Sequence, residues 1–589
     1  MRRAELSQSN SKSQGLALAE PTSWPSTSAL PRGRLTPNIL IVFVVCLTAC
    51  VFAIYRHSLG FQFILDDHRF TADPRIQNPG HIRDYFTNFV WAQFTGGPPS
   101  FYRPVFLLWM RLNFLLCALS PWGWHFLSIA KHVCVAALLG ILVWRLLHDR
   151  LAALLAPAFF ALHPAQTESV SWSTVPDPLM TAGILVSLLL YLTYVEPSHG
   201  ADSRVKKLRS KSGGRKTSQI SRLWLLGATA AYFVALLAKE TAIVFPLIIF
   251  AMGMLLPQKD EAGKSKAPPN VSLRQRMTTG LLHVVPFAVA TVIYLLLRAN
   301  ALGGKLTAVT QHLPWKTVVL SWPATLWFYL QTIVWPVQSH SFADPMLIQA
   351  WSWRGVIAPL LKIGCFAAVL GGALFWVWRR TKESLRNHEH WTFQVTLIAD
   401  GLLLTLPLLP ALNLNALNPD DSLHGRYTYL PLAGVALLFA TICHIAGRLR
   451  IILAAAIAAL TVGFTPLTLG QEQQWKDDLN VFTIAHQIAP SNALVARNLE
   501  DARIRSALLL EEDGRCSEAI PVFEEANREY PDDWYALAGL GYCFVQSNDL
   551  IKAEQFLHRA ADLSHDSGII QQWQELRGHM RLSVPVQPN

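Results

Sequence analysis

Long apolar runs, several close to the roughly 20 residues that cross a bilayer as a helix, recur along this chain. The first is Pro37–Leu59. Others follow at Gly123–Leu147, Leu151–Leu162, Asp177–Val195, 222–238, 240–257, 277–298, 355–378, 392–412, 427–447 and 450–469. Basic residues cluster at alternate ends of these runs, as in Arg32 and Arg34 before the first and Arg145 and Arg150 after the second. Lys206, Lys207, Arg209, Lys211, Arg215 and Lys216 crowd one loop, and Lys259, Lys264, Lys266, Arg274 and Arg276 another. Arg379, Arg380, Lys382 and Arg386 follow the run at 355–378, and Arg448 and Arg450 lie between the last two. Basic loops mark the cytoplasmic face, so the pattern predicts about eleven crossings, with the N-terminus inside and everything after Gln471 outside. By the same parity, Val105–Leu119 lies along the outer surface, where Arg111 avoids the about 2.5–3.5 kcal/mol that a central Arg costs in lipid. The apolar stretch 317–335 is expected to be re-entrant or interfacial, with Trp315, Trp322, Trp327 and Trp335 at headgroup depth.

Beyond Gln471 the pattern changes to amphipathic helices with a repeat. Ala519, Phe523 and Ala526 return 34 residues later as Ala553, Leu557 and Ala560, while Ala507 returns as Gly541 and Leu510 as Phe544. That period, with small residues where helices touch, is the tetratricopeptide signature, and stacked helix pairs of this kind bind extended peptides. Phe482, Ala485 and Pro490 close a preceding, atypical unit. The expected fold class is therefore all-α: a polytopic helical membrane domain followed by a tetratricopeptide-like repeat domain. Residues 1–36, polar and rich in Ser, Pro and Arg, bury no core and are expected to be a disordered cytoplasmic N-terminus. Residues 37–470 form the membrane domain, with 60–122 as its first outer loop; 471–580 form the repeats and 581–589 a tail.

Composition supports this and narrows the function. The chain is 52% hydrophobic and 15% charged, against about 25% charged in soluble proteins. Its net charge of +11 sits largely in short loops beside apolar runs, which removes any nucleic-acid reading. Six of the eight cysteines lie in apolar runs, where Cys acts as a small hydrophobe. The spacing of the other two, Cys516 and Cys543, demands no disulfide, and none is expected. No metal-ligand spacing occurs, so no cofactor is expected; the sequence assigns no divalent cation.

Four polar clusters fall at the outer ends of runs: Asp66-Asp67; His163 with Glu168 and Asp177; Lys239-Glu240; and the stretch 418–427, which ends His424-Gly425-Arg426-Tyr427. Singly, each reads as a cap, a turn or an interface anchor, and Lys239 or Arg298 taken alone reads as snorkelling. Placed on one side of the membrane, they line one cavity. A sugar carried on a polyprenyl phosphate suits such a cavity. Its phosphate leaves as a stable anion, so one carboxylate suffices to take the acceptor hydroxyl's proton. Asp66 or Asp67 fills that role. Arg103, Arg298, His424 and Arg426 are candidates to meet the phosphate, and Glu168, Lys239 and Tyr427 complete the lining. Membrane lipid is the remaining partner, and no nucleic acid is expected.

The order of these motifs resembles that of the transmembrane and tetratricopeptide-repeat-containing O-mannosyltransferases and their bacterial relatives, within the GT-C class of glycosyltransferases. The matching pieces are Phe63-Ile64-Leu65-Asp66-Asp67, Tyr102-Arg103-Pro104, Ala161-Leu162-His163-Pro164 with Thr167-Glu168-Ser169-Val170, Lys239-Glu240-Thr241, Arg426-Tyr427-Thr428-Tyr429-Leu430-Pro431 and Trp475. The resemblance implies a GT-C-like membrane domain, an acidic pair after the first span as the catalytic site, and inverting transfer of a mannose-like sugar from a polyprenyl phosphate to a hydroxyl, a protein Ser or Thr. It further implies an inner-membrane location with the repeats periplasmic and an acceptor protein or peptide in their groove. Two departures stand out: Gly425 replaces the Glu that commonly precedes Arg-Tyr, and Thr174-Val175-Pro176-Asp177 lacks the family's Arg. The competing readings are an inert membrane-anchored scaffold and a carrier for lipid-linked sugar, and the latter lacks repeated halves. Deleting 476–589 is expected to weaken acceptor choice more than donor turnover.

Overall fold

The computed structural model describes residues 37–94, 100–195, 214–256, 258–259, 265–266, 271–306, 312–337, 346–381, 387–416 and 423–583. The expected disordered N-terminus, most of the basic loop after Val195 and the stretch 417–422 with Asp420 lie outside the described residues. What is described is helical, apart from a two-residue antiparallel pairing of Gln258–Lys259 with Ser265–Lys266.

Among the described residues, seven helices are long and apolar enough to cross a membrane: Pro121–Leu147, Asp177–Val195, Leu273–Ala301, Trp315–Val334, Trp353–Gly372, Gly425–Ile445 and Gly447–Trp475. Six more are apolar but shorter, among them Leu40–Ile54, Arg150–Ala161 and Arg222–Ala238. Trp315–Val334, expected as re-entrant, is itself long enough to span. Pro104–Cys117 is one of the short ones. Its Arg111 is buried and donates to the Ile76 carbonyl at 2.5 Å, so the guanidinium is spent inside the outer loop rather than in lipid.

Helices Pro121–Leu147, Asp177–Val195, Gly214–Ala238 and Tyr429–Ile445 pack around one apolar core that includes Leu139, Leu142, Leu188, Tyr232, Leu236 and Leu437. Gly183 lets two of them touch: a Cβ there would lie 2.9 Å from that of Ala235. Without a hydrophobic drive between helices in lipid, such small-residue contacts supply the packing energy. At one end of the bundle, Asp149 caps helix Arg150–Ala161 while its carboxylate binds His444 Nδ1 at 2.9 Å and Arg450 at 2.5 Å.

The repeats run through helices Asp478–Ile488, Ala493–Glu512, Cys516–Glu529, Trp534–Gln546, Leu550–Ser564 and Ser567–Ser583. Their period has a steric cause. Ala519, Phe523, Ala526, Ala553, Leu557 and Ala560 are all buried, and a Cβ on Gly541 would strike the Leu557 side chain at 2.6 Å.

One expectation is overturned here. Cys516 and Cys543 are joined in a disulfide, their Cα atoms 5.1 Å apart. The sequence hid this because the two residues face each other across a helical hairpin, at a spacing no motif marks. Closing a loop of sequence separation 27 stabilises the fold by about 3.5 kcal/mol through the unfolded chain. Cys516→Ser is therefore expected to lower the stability of the repeats by about that amount, read as loss of hydrogen-exchange protection in helices Cys516–Glu529 and Trp534–Gln546.

The first repeat helices do not hang free of the membrane part. Phe61, Ile64, Trp172 and Val175 from the outer loops share a core with Trp475, Phe482, Val495 and Leu499. Removing 476–589 would strip the cover from Ile64, two residues before the acidic pair, so donor turnover is not expected to survive the deletion.

Candidate active site

The chain leaves its first helix at Ile54, makes a short turn at His57–Gly60, runs extended through Phe61 and enters helix Asp66–Ala72. Leu65, just before Asp66, has φ +51°, a conformation that costs a non-glycine residue about 1–3 kcal/mol and persists only where its surroundings hold it. Asp66 opens the helix and is half-buried; Asp67 is completely buried. The Asp67 carboxylate accepts from the Ile64 backbone N–H at 3.3 Å and from that of Thr174 at 3.2 Å. Burial raises its pKa to about 7, against the lowering effect of the hydrogen bonds from Thr174 and Ile64.

Thr174 belongs to the broken segment between helices Arg150–Ala161 and Asp177–Val195, and that segment is the spine of the site. Glu168, buried, lies 3.1 Å from His424 Nδ1 and accepts the Arg426 backbone N–H at 3.0 Å, with the Arg426 guanidinium at 3.5 Å. Trp172 carries that guanidinium 4.7 Å above its ring and stacks on Trp475. Thr174 holds Asp67. Asp177 takes Lys239 Nζ at 2.6 and 2.7 Å. One run of ten residues, 168–177, therefore ties the acidic pair, the His-Gly-Arg-Tyr stretch and the Lys-Glu turn together.

Tyr427 sits at the junction of these pairs. Lys239 Nζ lies 4.6 Å from its ring centroid, and Arg426, Asp177, Arg103 and Glu240 all act on its phenol electrostatically. Arg103 forks onto Glu240 at 2.8 and 2.5 Å and stacks over Phe101. Arg103 and Arg426 both lie close enough to Lys239 to depress its charged form, although burial is the larger cause of its lowered pKa. Arg298 donates to the Leu306 and Ser100 carbonyls at 2.8 and 3.0 Å and lies 3.3 Å from the Tyr294 hydroxyl. Glu168, Asp177 and Glu240 thus pair with Arg426, Lys239 and Arg103 near Tyr427. Lys239 and Arg298 are buried and bonded inward, so the snorkelling reading does not hold for either.

Some residues fall elsewhere or were missed. His163 is latched to the Ile333 carbonyl at 3.0 Å through Nε2, while Nδ1 accepts the Ala165 N–H. Burial holds its pKa down at about 3, so it is a neutral strut rather than part of the cluster. Lys131 is a functional candidate outside the four polar clusters. It is buried in helix Pro121–Leu147, donates to the Val175 carbonyl at 3.1 Å, and lies within electrostatic reach of Asp177 and Asp67. A charge in mid-run was the available signal, since ionisable residues in spans face an interior partner. Lys131 thereby brings a cation to the 174–177 segment. Among the described residues no group of three or more His, Cys, Asp or Glu side chains is placed to hold a metal ion.

Fold and site together define a class: a polytopic helical membrane protein with a buried ionisable cluster at one end of its bundle, joined to tetratricopeptide repeats. The tetratricopeptide repeat family model matches residues 510–572. Protein O-mannosyl-transferase TMTC3 of Homo sapiens is 22% identical over 554 residues, covering 89% of this chain and 55% of that protein. The human TMTC1 protein is 24% identical over 83% of this chain and 55% of its own length, and Tmtc2 of Drosophila melanogaster is 33% identical over 38% of this chain and 23% of its own. The chain is a relative of these protein O-mannosyl-transferases, and it spans about half the length, or less, of those it matches here. Among solved structures, the Archaeoglobus fulgidus oligosaccharyltransferase in its apo form aligns with a TM-score of 0.40 at 14% identity, covering 79% of this chain and 60% of that one.

Proposed function

We propose that this protein is a membrane glycosyltransferase that moves a mannose-like sugar from a polyprenyl phosphate to a hydroxyl of an acceptor protein, with inversion at the anomeric carbon. The observation that carries the reading is the convergence of Arg103, Lys239 and Arg426 about Tyr427, with Lys239 and Arg426 held by the same 168–177 segment that anchors the acidic pair. In this mechanism Asp66 is the base and Asp67 a positioning residue. The acceptor oxygen forms a bond to the anomeric carbon from the face opposite the phosphate, and its proton passes to the Asp66 carboxylate. The bond from that carbon to the phosphate oxygen breaks with its electron pair on oxygen, and polyprenyl phosphate leaves. Arg426, Arg103 and Lys239 stabilise the charge that gathers there, a contribution worth about 2.7–4 kcal/mol per preorganised donor in well-studied enzymes.

The membrane part at 37–470 does the chemistry and the repeats at 471–580 bring the acceptor. The Cys516–Cys543 disulfide supports placing the repeats in an oxidising, extracytoplasmic compartment, which fits an inner-membrane protein with a cytoplasmic N-terminus. An inert scaffold gains nothing from such a cluster. Burying an ion pair costs several kcal/mol per ion in desolvation, and the buried Lys239–Asp177 pair gathers here beside two partly buried ones.

The test is transfer by the full chain in lipid nanodiscs, from polyprenyl-phosphate [14C]mannose to a Ser/Thr-rich acceptor protein. Alkali-labile label on the protein, of anomeric configuration opposite to the donor's, is the expected result. Label moved from a nucleotide sugar instead, or none from the lipid, sinks the reading.

A further inference from the structure

The acidic pair is held in place partly from the repeat side. Gln62 donates its backbone N–H to the Lys476 carbonyl at 3.0 Å, and Leu65, the strained residue, donates its own to Asp478 Oδ1 at 2.8 Å. Asp478 is the first residue of the first repeat helix, Asp478–Ile488, and is largely buried. Its second oxygen takes two further partners. His68 Nε2, on the helix that begins with Asp66-Asp67, lies 2.9 Å away, and Arg505 of helix Ala493–Glu512 donates at 2.8 Å. Asp66 is therefore bracketed: the residue before it is bonded to Asp478, and the residue after it to Thr174.

Resting on the glycosyltransferase reading above, we infer that Asp478 is a positioning residue for the transfer, the repeat domain's contribution to the active site. Leu65 does not keep φ +51° unaided; its neighbours must over-determine it. On the membrane-domain side the anchors are the Ile64 and Thr174 bonds to Asp67, which fix the residue after Asp66 but leave the Leu65 N–H unheld. Asp478 supplies that bond, and Arg505 and His68 fix the carboxylate that makes it. Arg505 stands half exposed on the second repeat helix, so the repeats reach the acidic pair through two side chains. The repeat array is in this sense a wall of the site as well as an acceptor dock.

The test measures transfer and hydrogen exchange on the full chain in nanodiscs. Asp478→Ala is expected to lower kcat about 30-fold or more, since small displacements of a reacting group cost that much, with the donor KM within about twofold of wild type. Exchange in the peptide spanning 61–70 should rise while that of 163–177 stays as it was. Asp478→Asn keeps an oxygen for the Leu65 N–H and should restore kcat to within about fivefold. Unchanged kcat, equal losses in the alanine and asparagine variants, or unchanged exchange at 61–70 each overturn the inference. Should Asp478→Ala fail to fold, Arg505→Gln takes its place: faster exchange at 61–70 supports the coupling and unaltered exchange overturns it. If wild type transfers no sugar, the functional reading fails, and exchange alone then decides whether Asp478 holds Leu65.

Discussion

Asp66→Asn is expected to abolish sugar transfer, lowering kcat by about 10²–10⁴-fold, the usual contribution of a positioned general base. Binding of the lipid donor should be retained, because the amide keeps the size of the carboxylate and the cations about Tyr427 are untouched. Asp67→Asn should behave differently. Asp67 is fully buried and accepts from the Ile64 and Thr174 backbone N–H groups, so its replacement loosens the Asp66 loop without removing the base. Its signature is a pH dependence of stability. With the folded pKa at about 7 and an unfolded value of about 3.9, the native protein keeps a proton between those limits that the unfolded chain has shed. Stability therefore falls as pH rises through that window, and Asp67→Asn should flatten the slope. Thermal unfolding from about pH 4 to 7.5 reads this directly. Transfer that survives in both variants would mean the acidic pair is not the catalytic site.

Much of this arrangement was readable in the sequence because it follows from local rules. Apolar runs and basic loops are one-dimensional signals, and a 34-residue period needs only counting. Side-of-membrane parity was enough to gather Asp66, Glu168, Lys239 and Arg426 into one expected cavity. Pairing was not readable. That Glu168 would take His424 and Arg426, and Asp177 take Lys239, depends on helix rotation and on the bend at 172–176, which no spacing encodes. The disulfide and the Asp478 bond were hidden for the same reason: each joins segments whose relation is set by packing, across 27 residues in one case and 413 in the other. Lys131 is legible as a lone charge inside a long apolar run, but its partner Val175 lies on another segment and is set by packing. Trp315–Val334, expected as re-entrant yet long and apolar enough to span, shows the remaining weakness. Composition reports how apolar a helix is, and not whether lipid or protein covers it.

Arg426→Ala is expected to cost about 10²–10³-fold in kcat, the loss seen when one preorganised donor to a developing negative charge is removed. The size follows from how the guanidinium is held. Glu168 lies 3.5 Å from it, the Trp172 face is 4.7 Å below it, and its own backbone N–H is tied to Glu168 at 3.0 Å. A group fixed on three sides pays little reorganisation when the phosphate departs. Lys at the same position keeps the charge but loses the planar fork and the flat stacking on Trp172, so Arg426→Lys should recover only part of the rate. Glu168→Gln separates position from charge: the amide oxygen still accepts the backbone N–H, while the carboxylate that orients the guanidinium is gone. Its expected effect is a donor KM raised about tenfold, with a smaller change in kcat. Steady-state kinetics with the lipid-phosphate donor varied at saturating acceptor distinguishes these patterns. If Arg426→Ala altered acceptor KM instead and left donor turnover intact, the leaving phosphate would have to be met by Arg103 and Lys239, and Arg426 would belong to the acceptor's side of the cavity.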